Sequence, residues 1–308
     1  MKKASPILPM DFPMDSAAML KTVRALDGQY PFLTVTSIGK SILGKEIPAL
    51  ILGNGRKKAL YVGAHHGMEW ITSALLLRFV REFCELCQAG RTVYRLNLPH
   101  LAKTCSIHVV PMLNPDGVDY AIHGTTPANP LYNRVIGMNG GSDDFSRWQA
   151  NARGVDLNHN YNAGFAEYKR LESKEKIPCG APTRFSGQEP ESEPEVRALC
   201  NYIRFHAPIK PVLTLHTQGE EIYWKSRGKA VFGTEASVRK LASLCGYAMS
   251  EAEGLASFGG LTDWCIETCK IPAVTLECGK GVNPLPVSAF FPIYIRLREV
   301  LFTAPTLF

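Results

Sequence analysis

Short apolar runs of strand length alternate with segments of helical periodicity along most of this chain, and that alternation constrains the fold more than any other feature. Asp15 to Leu26 reads as a first helix. Glu46 to Leu52 and Ala59 to Gly63 read as strands flanked by glycine and charged turns. A long helix is expected from about Trp70 to Leu86, then a strand in SIHVVPML that runs into Asn114-Pro115-Asp116-Gly117, a sharp-turn signal. Glu193 to Phe205 and Val238 to Ala252 carry helical patterns, Pro211 to Leu215 and Pro272 to Leu276 are apolar, and Phe291 to Phe302 reads as a closing helix. The class is α/β. No repeat, low-complexity tract or Ser/Gly linker divides the 308 residues, so a single domain over 1–308 is expected, with 1–18 as an N-terminal extension. A Gly/Asn/Asp-rich stretch from about Gly124 to Gly187 reads as a long loop; loops beyond roughly 12–15 residues in compact domains are usually functional, so it is expected to wall a site.

Composition removes several function classes. With 45% hydrophobic and 20% charged residues the chain is an ordinary globular protein, not a disordered one. A net charge of +6, with no dense Lys/Arg run or basic stripe interleaved with aromatics, argues against a nucleic-acid partner. The start is basic, but Pro6, Pro9 and Asp11 interrupt it before an apolar signal-peptide core of about 7–15 residues could form. No segment approaches the roughly 18–20 apolar residues that span a bilayer, so a cytoplasmic protein without membrane contact is expected. Nine cysteines, an odd count, fit reduced thiols. Cys84 and Cys87 form a CxxC inside a helical pattern with no second CxxC, which reads as buried inert thiols. Gly39 to Lys45, GKSILGK, begins like a phosphate-binding loop, but Glu46 replaces the hydroxyl residue and a strand follows.

In open α/β sheets ligands bind beyond the carboxyl ends of parallel strands, so residues that follow the apolar runs matter most. The run Ala59 to Gly63 leads into Ala64-His65-His66-Gly67-Met68-Glu69, Pro211 to Leu215 into His216, and Pro272 to Leu276 into Glu277. His66 and Glu69 form an HxxE, which chance supplies on the order of half a time in a chain of this composition. His216 raises its weight, because a catalytic zinc takes three protein ligands and keeps one open position, and two His with one Glu is an established set. His65 is the rival to His66, but only His66 stands three residues before the Glu. Glu277 closes an otherwise apolar strand, where an unpaired carboxylate is costly. Beside a zinc site it reads as a general base.

In order along the chain, GAHHGMEW, NPDG, GVDLNHNYN, SEPE, LHTQGE, GGLTDW and TLECG resemble the zinc metallocarboxypeptidase family, the carboxypeptidase A-like enzymes, from about Met19 to the C-terminus. The resemblance implies one zinc on His66, Glu69 and His216, Glu277 as catalytic base, and a mixed, roughly eight-stranded sheet between helices. Family exopeptidases grip the terminal carboxylate with an Asn-Arg pair; here Asn158 is kept and His159 stands at the Arg position, exchanging a permanent bidentate cation for a group largely neutral at pH 7. The Arg that steadies the oxyanion maps to Gln149, with Arg147 and Arg134 near enough in sequence to substitute. SIGKSILGKEIP, RWQANARGVDLNHNYNAGF and TLECGKGVNPLP resemble the bacterial γ-D-glutamyl-meso-diaminopimelate peptidases, which implies a cell-wall stem peptide as substrate. A conventional carboxypeptidase, a small-molecule zinc deacylase and a non-catalytic muropeptide-binding module are the alternatives on the same scaffold.

Overall fold

A computed structural model of the chain describes residues 12–308, so most of the expected N-terminal extension lies outside the described residues. α1 (Ser16–Gln29) starts at Asp15, whose carboxylate accepts from Ala18 N at 2.7 Å. β1 (Leu33–Lys40), β2 (Glu46–Leu52) and β3 (Lys57–Val62) follow, then α2 (Ile71–Gln88), a small hairpin of β4 (Thr92–Val93) and β5 (Leu96–Asn97), α3 (Leu98–Thr104) and β6 (Cys105–Val110). α4 (Pro115–His123), α5 (Tyr132–Met138), α6 (Phe165–Lys174) and α7 (Pro194–Phe205) lead to β7 (Val212–His216) and β8 (Glu221–Tyr223). α8 (Thr234–Cys245), β9 (Ala248–Ser250), α9 (Leu261–Trp264), β10 (Ala273–Glu277) and α10 (Phe290–Thr303) complete the chain.

Eight strands form one mixed sheet in the order β1-β2-β6-β3-β7-β10-β8-β9. Its centre, β6, β3, β7 and β10, is parallel, whereas β1, β2 and β6 pair antiparallel, as do β10 and β8. Parallel strands are covered on both faces, which is why β3, β7 and β10 are nearly continuous aliphatic runs. Successive side chains still divide between two cores. Tyr61, Leu213, Leu215, Val274 and Leu276 point to the layer of α2 and α10, where Phe79, Phe83 and Phe302 are fully buried. Leu60, Val62, Val212 and Ala273 face Val196, Leu199 and Ile203 of α7 and Trp264 of α9. The parallel centre leaves one sheet edge where β3, β7 and β10 all end.

Four local expectations change. Asn114-Pro115-Asp116-Gly117 starts a helix: the Asn114 side chain accepts from Gly117 N at 2.9 Å, and Pro115 suits a first helical turn that needs no N–H there. The stretch 124–187 is not one loop, because it contains α5 and α6. The helix expected over 238–252 stops at Gly246, which sits at φ +73°, and β9 then joins the sheet edge. Strands β1 and β8 were not anticipated; β1 buries little beyond Leu33 and β8 has three residues, so neither shows a strong apolar pattern. All nine cysteines are free, and burial raises the Cys84 thiol. Among the described residues no helix is long and apolar enough to cross a membrane.

Candidate metal centre

The chain leaves β3 over the sheet edge and enters the short turn Gly67–Glu69. That turn is fixed by its backbone: Gly67 N donates to Gln149 O at 3.0 Å and Met68 N to Trp148 O at 2.9 Å. A Cβ on Gly67 would lie 2.2 Å from Gly117 O, so only glycine admits this approach. His66 and Glu69 are thereby held on one side of the turn. His216 and Glu277 are the last residues of β7 and β10 and are register partners across the parallel pair.

The three expected ligands converge. His66 Nδ1 lies 3.0 Å from Glu69 Oε1, His216 Nδ1 lies 3.1 Å from Glu69 Oε2, and the two Nδ1 atoms are 3.2 Å apart. All three residues are buried, and their ligand atoms lie within 4.8 Å of one another. Glu69 Oε2 is buried and, although His216 Nδ1 lies beside it, no well-aligned hydrogen bond satisfies it. Two imidazole nitrogens facing each other beside such an oxygen form an unfavourable arrangement that a divalent cation resolves, and this donor set suits zinc. Burial alone would raise the Glu69 carboxyl, but the imidazoles of His66 and His216 overcome it and bring it down to about 2. Burial, reinforced by the Glu69 carboxylate, pushes Glu277 well above the usual carboxylate range.

His65 is excluded from the centre by its own contacts. Its Nε2 meets Tyr161 Oη at 2.9 Å and its Nδ1 meets Thr214 Oγ1 at 3.2 Å. His66 instead turns its Nε2 to Asp156 Oδ1 at 3.1 Å. Asp156, which the sequence reading did not single out, also accepts from Gln149 Nε2 and Arg184 N, both at 3.1 Å. Although burial opposes it, the imidazoles of His66 and His159 pull the Asp156 carboxyl far down. A carboxylate behind a metal-binding imidazole fixes which ring nitrogen is free to ligate.

The centre opens into a cavity of about 460 Å³, and Glu277 and the three ligands all line it. A sequence model described as zinc carboxypeptidase matches residues 19–293. The chain belongs to the zinc carboxypeptidase family. It is 33% identical over 280 residues to gamma-D-glutamyl-L-diamino acid endopeptidase 1 of Lysinibacillus sphaericus, a match that covers 91% of this chain and 69% of that one. Bovine thrombin-activatable fibrinolysis inhibitor superposes with a TM-score of 0.73 at 20% identity, covering 96% of this chain and 97% of that chain. Murein-tripeptide amidase of Escherichia coli O157 superposes with a TM-score of 0.54 at 21% identity, covering 87% and 91%.

Within this member of the family the remaining expected residues divide. Asn158 and His159 line the cavity. Asn158 Oδ1 accepts from Leu261 N at 3.1 Å, and its Nδ2 has no partner among the described residues. His159 stacks on Tyr168 at 4.0 Å and donates from Nδ1 to Phe258 O at 2.8 Å. Burial lowers its pKa against the pull of Asp156, so the ring is neutral and its remaining nitrogen is an acceptor. The Gln149 side chain is engaged on both ends, by Asp156 and by Thr183 Oγ1 at 2.7 Å. Arg147 lines an adjoining depression, not the zinc cavity, and Arg134 is exposed on α5 and lines neither. Two cations lining the zinc cavity were missed: Arg184, and Lys225, which pairs with Glu251. Their sequence neighbourhoods carry no spacing signal.

Proposed function

We propose that this zinc peptidase hydrolyses the amide bond between γ-linked D-glutamate and a diamino acid in bacterial cell-wall peptides. One observation carries the reading: the position where carboxypeptidases keep a guanidinium holds His159, neutral and presenting an acceptor, so the cavity cannot grip a terminal carboxylate in the ordinary way. The relative in Lysinibacillus sphaericus is named for that linkage, and the cavity is also lined by Lys225 with Glu253 and Asp263, a mixed-charge set that suits a side chain bearing both ammonium and carboxylate. Nine unpaired cysteines suit a reducing compartment and support a cytoplasmic location.

His66, Glu69 and His216 would hold the metal, and Asp156 would orient His66. Zinc supplies Lewis acidity that polarises a carbonyl and makes water nucleophilic near neutral pH. Glu277 takes the proton of the attacking water. Its raised pKa suits a group that holds this proton and then delivers it to the departing amine. Asn158 Nδ2 donates to the residue on the amine side. In Glu277→Gln we expect zinc content unchanged and turnover of L-Ala-γ-D-Glu-meso-diaminopimelate reduced by about 10²–10⁴-fold. Preferential cleavage of a hippuryl dipeptide by the unsubstituted enzyme would overturn the substrate assignment, and full activity of Glu277→Gln would overturn the role of the base.

A further inference from the structure

The zinc cavity continues into a second depression of about 470 Å³, and the two share Met68, Gln149, Arg184, Thr217 and Asn283. On the hydrolytic reading above, Asn158 and His159 face the amine side of the scissile bond, and they line only the first. The second therefore receives the acyl side, the residue whose carbonyl is attacked. Its charged lining has one sign. Arg147 and Arg184 are the charged residues that line it, amides of Gln149, Gln218 and Asn283 stand beside them, and no carboxylate does.

Neither guanidinium makes an ion pair or a hydrogen bond among the described residues, although fourteen ion pairs of Lys or Arg with a carboxylate occur there. The backbone that carries Arg184 is nonetheless firmly placed. Its N–H donates to Asp156 Oδ2 at 3.1 Å, its carbonyl accepts from Tyr168 Oη at 2.9 Å, and its φ is +68°. The carboxylate that orients His66 thus also sets where Arg184 leaves the chain. Both side chains are exposed to solvent, and the amides of Gln149 and Asn283 already donate to Asp156 and to Thr217 O, so the two guanidiniums are the free donors of this wall, able to match a carboxylate by bidentate hydrogen bonding with no competing acid lining it.

We infer that this depression is a subsite for a free carboxylate on the acyl-side residue, with Arg184 at the junction of the two cavities and Arg147 further out. The inference rests on the hydrolytic reading above and sharpens it. A glutamyl residue linked through its side-chain carboxyl keeps its α-carboxylate free, a short aliphatic span from the scissile carbonyl. An ordinary α-linked residue presents an uncharged amide at the corresponding place. The subsite therefore selects the linkage as well as the residue, and it disfavours substrates in which that carboxylate has been converted to an amide.

The test is calorimetric binding to zinc-loaded, full-length Glu277→Gln protein, which holds substrate without turning it over. L-Ala-γ-D-Glu-meso-diaminopimelate is compared with the same peptide carrying isoglutamine in place of glutamate. The acid form should bind about 10-fold tighter, and adding Arg184→Gln or Arg147→Gln should weaken it about 5–20-fold while leaving the amide form unchanged, the range expected of charge-assisted hydrogen bonds. Equal binding of the two peptides, no binding of either, or an equal loss on both in Arg184→Gln would overturn the subsite; the last pattern is that of a group acting on the scissile carbonyl. Turnover by the unsubstituted enzyme separates the two claims. Acid-selective binding without cleavage overturns the hydrolytic reading alone, and cleavage without acid selectivity overturns the subsite alone.

Discussion

Asp156 decides which nitrogen of His66 faces the metal position. With Nε2–H donated to Asp156 Oδ1 at 3.1 Å, the Nδ1 lone pair is aimed at the gap shared with Glu69 and His216. Asp156→Asn keeps an acceptor but loses the charge and admits the other tautomer. Zinc affinity should fall about 10–100-fold, read by competition with a chelator, and unchanged affinity would remove Asp156 from this role. His66, Glu69, His216 and Glu277 were legible in the sequence because each follows or closes an apolar run, and the period of a strand dictates where such residues project. Asp156 and Arg184 were not, since both lie in irregular backbone whose course is set by contacts between distant segments. Arg134 and Arg147 show the converse: closeness in sequence to Gln149 did not bring either into the zinc cavity.

At the level of elements, the first turn of α7 straps two loops together. Glu195 Oε1 accepts from Ile42 N at 3.0 Å in the β1–β2 turn, while Glu193 Oε2 accepts at 2.7 Å from Asn151 Nδ2, next to the segment that carries Gln149 and Asp156. Burial pushes the fully enclosed Glu195 carboxyl up to about 7. A pKa raised on folding means that the protonated form is favoured in the native state. That contribution is fully present below the ordinary value of 4.5 and is lost as pH rises through about 7. Its size is at most about 3.5 kcal/mol, from roughly 1.4 kcal/mol per pKa unit. Thermal melts of Glu195→Gln should show it gaining on the parent between pH 5 and pH 8; a variant that loses more at pH 8 would contradict the assignment. Elements with long apolar or amphipathic patterns were legible, α2, α7, β3 and β7 among them. The edge strands β1, β8 and β9 and the polar helix α6 were not, because short or half-solvated elements bury too little to leave a period.

For the molecule as a whole, the alternation of runs revealed an α/β protein, but not the order β1-β2-β6-β3-β7-β10-β8-β9, which depends on pairings between strands far apart in the chain. The metal position joins segments at residues 66–69 and 216, so an ion bound there links remote parts of the fold. Ligand saturation at about 1,000 times Kd contributes about 4 kcal/mol. Chelation should therefore lower the Tm by roughly 5–15 °C in calorimetry, restored by added zinc, and a Tm indifferent to chelator would show the centre to be unlinked to stability. The pairing of His216 with Glu277 has one more implication. Because β7 and β10 are apolar on both faces, oil and water barely distinguish one alignment of the pair from the next. A slide of two residues would preserve both cores yet carry Glu277 about 6–7 Å along its neighbour, beyond the reach of a proton. The hydroxyl pair of Thr262 and Thr275, 2.7 Å apart, ties β10 to α9 and so opposes that slide from outside the strand pair. A misaligned molecule would be compact and inert, so the specific activity of a purified sample reports how faithfully its chains have threaded.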